Sequence, residues 1–377
     1  MTQRKILIKN AKLLDLSTGY RYSKKDVLIK GDLIDLIEDD IQLTADTIQI
    51  NSDDYILSPG FIDIHTHVYP ERTKLGIKAD TVGVHRGVTT LFDAGSQGPG
   101  NYHNFHNEVI LKNKTNVYAF LNIAKTGLEK DRYEISSLDN IDNDMVKEVY
   151  YNNKQFIKGI KVRASASTVG ELGMKPILIA KAVSKELGIP LIVHIGNYPP
   201  CIDDVLSIME KGDVVTHTFH GKSNGLFMDS KIRTSFIDAK KRGVLFDVGH
   251  GSSSFNFRVF KSALKEGFYP DFISTDIYID NINGPVYSLE YTVNKMIALG
   301  LDMETCISRV TYLPAKHFGL DKIGRLKVGY KADLTLFNID EKEKTYIDSD
   351  KNVLASTKNV TTHIVIKNGE IIGQKRN

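Results

Sequence analysis

Between residues 61 and 300 the chain switches repeatedly between two kinds of segment, and this alternation limits its fold more than any other feature. Short runs rich in β-branched and apolar side chains recur at 61–67, 89–95, 116–123, 156–165, 190–196, 213–221, 244–251 and 272–278. Most are apolar almost without interruption, the pattern of parallel strands covered on both faces; a half-exposed sheet would alternate polar and apolar residues. Amphipathic segments fill the gaps. Several end on a glycine just ahead of the next run, at Gly87, Gly188, Gly212, Gly243 and Gly267, where a left-handed residue would satisfy the last helical carbonyls. Leu289, Val293, Met296 and Ile297 share one helical face, and Gly300 closes that helix. Eight strand–helix units of about 30 residues predict a (β/α)8 barrel of the TIM type. A doubly wound open sheet shares the alternation, but it more often carries a glycine-rich phosphate loop after its first strand, where this chain has His65-Thr66-His67.

The two ends of the chain read differently. Residues 5–15 and 27–37 form short strands with Lys30-Gly31-Asp32 as a turn, and 333–338 is another strand. Residues 362–366 turn through Asn368-Gly369 into 370–372, and Asn-Gly between apolar runs is a strong hairpin signal. Neither end has enough strands for a core of its own. Together they predict one small β-sandwich domain interrupted by the barrel, with boundaries at 1–57, 58–322 and 323–377.

Composition narrows the partners. The 377 residues carry a net charge of +3 with no dense basic cluster, so nothing electrostatic points to nucleic acid or a membrane. Cys201 and Cys306 are too few for a disulfide framework and too far apart for a zinc ribbon. The first six residues lack an apolar leader core, and no unbroken apolar run reaches the ~18 residues a spanning helix needs. The expectation is a reduced, cytoplasmic protein acting on a small molecule; homo-oligomer formation through barrel helices is compatible with the pattern.

Ligand-type side chains recur where such a barrel would place its strand ends. His65 and His67, two apart on the first strand, would face one side and could hold a metal through neutral nitrogens, although His-x-His alone also fits surface or capping residues. His194 ends Leu191-Ile192-Val193-His194, His217 ends Val214-Val215-Thr216-His217, and Asp276 follows Ile273-Ser274-Thr275. Singly, each reads as a satisfied polar group of the core; four strands supplying them at one barrel face is hard to explain that way. Lys161, in Gly159-Ile160-Lys161-Val162-Arg163, would point inward, where burial favours its neutral amine. A neutral amine can combine with CO2 to give a carbamate able to bridge two cations. The alternative is an ion pair with a carboxylate such as Asp276.

His65-x-His67, Lys161, His194, His217 and Asp276, in this order, resemble the ligand set of the amidohydrolase superfamily. Ser58-Pro59-Gly60-Phe61-Ile62-Asp63 is similar to that family's approach to its first strand, and Leu326-Lys327-Val328-Gly329-Tyr330-Lys331-Ala332-Asp333-Leu334 resembles its return to the small β-domain. Gly159-Ile160-Lys161 and His250-Gly251 look like the dihydroorotase-like amidohydrolase and deacetylase group. The resemblance implies two divalent ions, zinc by default for nitrogen-rich sites with manganese, iron or cobalt able to substitute. His65 and His67 would hold one ion and His194 and His217 the other, bridged by N6-carboxylated Lys161. Asp276 would ligate and act as general base toward a metal-bridging hydroxide.

Other residues are candidates for substrate contact. Arg163 shares the strand parity of Lys161 and could grip a carboxylate, or else pair with Glu171 or another acid. Glycines around His250 permit close approach of a ligand, Lys125 follows the third strand, and Tyr278 and Tyr287 could wall the pocket. Gly98-Pro99-Gly100 reads as a mobile loop. His220 is the rival ligand to His217; His85, His103, His106, His317 and His363 fall away from strand ends. The expected reaction is metal-dependent hydrolysis of an amide or ester of a small carboxylate-bearing substrate, with deacetylation of an acetylated acid first. Dihydroorotase-like opening of a cyclic amide is the alternative. Purine deamination and a catalytically silent scaffold follow.

Overall fold

The structure, a computed structural model, describes residues 4–70, 72–129 and 133–374; the first three residues of the amino-terminal segment lie outside them. The chain starts with β1 (Lys5–Asp15), β2 (Tyr20–Lys30), β3 (Leu33–Glu38), β4 (Thr47–Asn51) and β5 (Ile56–Pro59). β1 pairs antiparallel with β2, and β2 with β3, while β4 and β5 run parallel to β1.

Gly60 carries the chain from β5 directly into the barrel. Its parallel strands are β6 (Phe61–Thr66), β7 (Val88–Ala94), β8 (Asn116–Asn122), β9 (Ile157–Ala164), β10 (Leu191–Ile195) and β11 (Val214–Thr216). After a short hairpin of β12 (Phe227–Met228) and β13 (Lys231–Ile232), β14 (Leu245–Phe246) completes the seven-stranded sheet. The eighth apolar run is not a regular strand, yet it closes the cylinder. It bridges Asp247, just after β14, through Phe272, and Thr66 of β6 through Ile277, both in the parallel sense.

His217 (φ 68°), Gly249 (φ 49°) and Asp276 (φ 49°) adopt left-handed backbone conformations near the ends of runs six, seven and eight, and His217 directly follows the last residue of β11. A non-glycine residue there costs about 1–2 kcal/mol and persists only where its surroundings fix it. In β6 the register slips between Asp63 and Thr66. This slip changes the side-chain phase: Ile62 and Ile64 pack with Phe92 and Phe120 inside the barrel, and His65 and His67 then line its mouth.

The opposite end is plugged. Ala315, Phe318, Leu320 and Ile323 join the interior cluster, and the Phe318 ring lies 4.9 Å from Phe92 and 5.1 Å from Phe120. Outside, the helix Lys175–Leu187 buries Ile177, Ala180, Val183 and Leu187 and stops at Gly188. This helical spacing lays one apolar face on the strands.

The carboxyl-terminal strands return to the first sheet. β15 (Leu334–Asp340) pairs with β5, and β18 (Asn359–Lys367) joins β15 to β19 (Glu370–Gln374), giving one mixed eight-stranded sheet from both chain ends. Ile6, Ile8, Leu13, Leu334, Leu336 and Ile366 form its separate core. Between β15 and β18, the hairpin β16 (Lys344–Ile347) and β17 (Val353–Ser356) reaches back to the barrel. At its turn Asp348 Oδ2 accepts the Phe257 N–H at 2.8 Å, and Ser349 Oγ donates to Gly251 O at 3.0 Å. The small domain thereby braces the wall of the barrel mouth. No helix among the described residues is long and apolar enough to cross a membrane.

Candidate metal centre and active site

The chemistry-bearing side chains of five strand ends meet at the carboxyl face of the barrel. His65, His67 and Asp276 each present one ligand atom, and the three atoms lie within 4.8 Å of one another, a cluster able to hold a divalent cation. Asp276 Oδ1 is 3.2 Å from His67 Nε2 and 3.5 Å from His65 Nε2. On the other side His217 Nε2 lies 4.0 Å from Asp276 Oδ2 and 2.9 Å from His194 Nδ1. Lys161 Nζ sits 3.3 Å from His65 Nε2. All six residues chosen from the sequence as a ligand set are therefore neighbours.

Two glycines make this convergence sterically feasible. A Cβ on Gly251 (φ 54°) would stand 2.5 Å from Asp276 Oδ2, and one on Gly95 (φ 86°) would stand 2.8 Å from Lys161 Cγ. Both positions exclude a side chain on conformation and on space.

Burial sets the protonation states. Desolvation holds His65 and His194 well below the ordinary histidine range and brings His217 down to about 3. These rings are neutral at physiological pH, the form that coordinates metal. Desolvation also lowers Lys161 to about 8, with Arg163 adding to it and Asp276 opposing. The shift favours the free amine over the ammonium relative to an exposed lysine. Among the described residues no ion pair joins Lys161 to Asp276, so the paired-ammonium alternative finds no contact here. Burial works against the charge of Asp276, but His67, His217 and Lys161 outweigh it and keep the carboxyl below its usual range. The donor set suits a divalent metal: neutral nitrogens plus one ionised carboxylate.

A cavity of about 380 Å³ opens above the centre. Its wall includes Arg163, Lys222, Tyr133, Tyr278, Asn197 and several serines, among them Ser165 and Ser252. Arg163 does reach it, and its partner is the buried Glu134, at 3.2 Å, rather than Glu171. Tyr278 walls the cavity and donates to Ser252 Oγ at 2.6 Å.

Other candidates lie elsewhere. His250 does not line the cavity: it is buried behind the wall, with Nε2 2.7 Å from Lys295 Nζ and Nδ1 2.8 Å from Gly251 O. Its two flanking glycines serve the close approach of His217 and Asp276, not of a ligand at this ring. Lys125 is also off the lining, and its backbone ties Gly100 to Asn140 instead. Tyr287 packs against Tyr291 in a tilted pair with ring centroids 4.6 Å apart, away from the cavity. Gly98 and Pro99 are buried, so this segment is packed down rather than a mobile loop. The His220 ring is turned away, its Nδ1 accepting the Lys222 N–H at 3.1 Å; His217 is the imidazole of that strand in the centre.

Lys222 was not singled out from the sequence. Its ammonium has no ion pair or hydrogen bond among the described residues, although it lines the cavity. The available signal was its place one residue beyond Gly221, in the loop leaving the sixth strand, where barrels carry their functional groups. Ser252, Ser253 and Ser254 follow the seventh strand in the same way.

A strand barrel whose carboxyl face gathers imidazoles, a carboxylate and a buried lysine defines a barrel-type metal site of the hydrolase kind. Residues 56–372 match the amidohydrolase family, and the chain belongs to it. A deacetylase of Enterococcus faecalis is 42% identical over 81% of this chain and 83% of its own length. A deacetylase of Agrobacterium fabrum is 36% identical over 93% and 87%. Among solved structures, that of an adenine deaminase superposes with a TM-score of 0.92 at 37% identity, covering 98% of this chain and 100% of that one. The structure of a dihydroorotase gives 0.91 at 34%, covering 98% and 99%.

Proposed function

We propose that this amidohydrolase is a deacetylase that removes an acetyl group from a small acid, using two divalent ions held by His65 and His67 on one side and His194 and His217 on the other. Carboxylation of the Lys161 amine by CO2, with release of a proton, would supply the bridging ligand. When bound, the ions polarise the scissile carbonyl and acidify water.

The protein's own groups do the rest. Asp276, ionised and 3.2 Å from His67, accepts the proton of the attacking water and delivers it to the leaving oxygen or nitrogen. Arg163 and Lys222 attract the substrate carboxylate, and the serine hydroxyls and Tyr278 orient the remainder by hydrogen bonds.

The observation that carries the reading is the pairing of a His-His-Asp cluster with two cationic side chains in one cavity. Names of relatives alone do not choose a substrate, since one fold hosts several chemistries. The 42% and 36% identical deacetylases support the acetyl group. Arg163 and Lys222 disfavour an uncharged purine. They favour equally a carboxylated cyclic amide, which keeps dihydroorotase-like ring opening as the second reading, alongside the 34% identical dihydroorotase structure. A screen of O- and N-acetylated hydroxy and amino acids, dihydroorotate and adenine against metal-replete protein tests this. Turnover of an acetylated acid is expected; turnover of adenine alone would reject it.

A further inference from the structure

Two of the imidazoles at the centre make their outward hydrogen bond to a hydroxyl group. His65 Nδ1 lies 2.9 Å from Thr216 Oγ1, and the Thr216 hydroxyl donates to Asp247 Oδ2 at 2.7 Å. The same carboxylate oxygen takes the Ser274 hydroxyl at 2.6 Å, and Ser274 Oγ in turn accepts the Gly249 N–H at 3.2 Å. His65, Thr216, Asp247 and Ser274 are all buried.

A hydroxyl has one proton to give. That of Thr216 goes to Asp247, so toward His65 the oxygen can only accept. His65 must then carry its proton on Nδ1, which leaves the Nε2 lone pair facing Asp276 and Lys161. His67 also faces a hydroxyl. Its Nδ1 lies 2.8 Å from Ser96 Oγ, and the Asp93 carboxylate accepts the Ser96 backbone N–H at 2.7 Å and the Val68 N–H at 2.8 Å. There the aspartate holds the backbone, so the hydroxyl contact does not fix which nitrogen of His67 carries the proton.

We propose that Thr216 and Asp247 form a relay that locks His65 in the Nδ1–H tautomer and aims its Nε2 at the metal centre. This rests on the reading of His65 as a metal ligand. Thr216 and Asp247 are positioning residues: neither lines the cavity, and they act through the imidazole they orient. The arrangement also links the two halves of the centre, because Thr216, the last residue of β11, immediately precedes His217.

The test has two readouts besides turnover. In metal-free wild-type protein with 15N-labelled histidine, long-range proton–nitrogen spectra, with the His65 signal assigned by its loss in His65→Gln, should show His65 protonated on Nδ1. An Nε2–H tautomer would overturn the relay. Thr216→Val keeps the side-chain shape and removes the hydroxyl. Its Zn2+ affinity, measured by competition with a chromogenic chelator, should fall about 10- to 100-fold, with Thr216→Ser restoring it. A Thr216→Val protein that retains the wild-type circular dichroism spectrum and binds Zn2+ as tightly as wild type would also overturn the proposal. Should wild type itself take up no Zn2+, the metal reading fails, while the tautomer measurement still decides the relay.

Discussion

His217 Nε2 and His194 Nδ1 face each other at 2.9 Å across the mouth of the barrel. The other nitrogen of His217 lies 2.6 Å from Gly249 O. A carbonyl only accepts, so Nδ1 of that ring holds the proton and Nε2 offers a lone pair to the centre. The left-handed backbone at His217 accompanies this contact, which ties the strain at that residue to the orientation of one nitrogen, while Gly249 takes its positive φ without strain.

Lys161→Ala should abolish turnover, with partial return on adding a short-chain carboxylic acid together with metal. The added carboxylate would stand where the carbamate of the buried amine would be. Initial rates with and without acetate or propionate check this, and unchanged turnover in the variant would remove Lys161 from the mechanism.

Arg163→Met should raise KM for carboxylate-bearing substrates by about 10- to 100-fold, the value of a charge-assisted hydrogen bond, and leave neutral analogues much less affected. It also removes the Arg163 guanidinium from the buried Glu134 carboxylate, so some loss of stability is expected. Lys222→Met carries no such penalty, because among the described residues Lys222 has no ion pair to break. Steady-state kinetics on acidic and neutral substrates separate the effects; equal losses on both would argue against carboxylate binding.

Gly251→Ala should slow kcat by about 100-fold, since the new methyl group would displace the Asp276 carboxylate it meets at 2.5 Å. The left-handed φ adds about 1–3 kcal/mol of strain. Activity measured beside a denaturation curve checks both, and a folded variant with normal kcat would show that Asp276 need not be held in place.

Acid should destabilise the metal-free protein. Burial keeps His65, His194, His217, His220 and His250 neutral in the fold, with His217 and His220 lowered to about 3. In the unfolded chain they protonate near 6.5, so below about pH 6.5 the unfolded state binds more protons and stability falls as pH falls. Asp63 and Asp247, pushed up to about 7 by burial, act in the opposite sense over about pH 4–7, but the imidazoles outnumber them. Each imidazole contributes a slope of up to about 1.4 kcal/mol per pH unit. The urea midpoint of chelator-treated protein should therefore drop between pH 6.5 and 5; a flat or rising profile would contradict this balance.

The barrel was legible because continuous apolar runs and glycine-stopped helices are local signals. So was the candidate ligand set: His65, His67, Lys161, His194, His217 and Asp276 all fall within such runs. The left-handed turns at His217 and Asp276 were not legible, because apolar content at 213–221 and 272–278 says nothing about φ there. The substrate side was read less well. Strand parity points to Arg163, but the flanking glycines of His250 and the place of Lys125 just after a strand do not say which side of a wall a side chain occupies. Lys222 escaped notice because a lysine in a polar loop has no periodicity to mark it. Thr216 and Asp247 lie among apolar neighbours, and only the fold shows which imidazole their hydrogen bonds reach.

The most direct test is anomalous diffraction from crystals of metal-replete protein. Two peaks should appear, one beside Nε2 of His65 and His67 and the other beside His194 Nδ1 and His217 Nε2, with density for a carboxylated Lys161 between them. A structure of such protein with no anomalous peak among these residues would contradict the account.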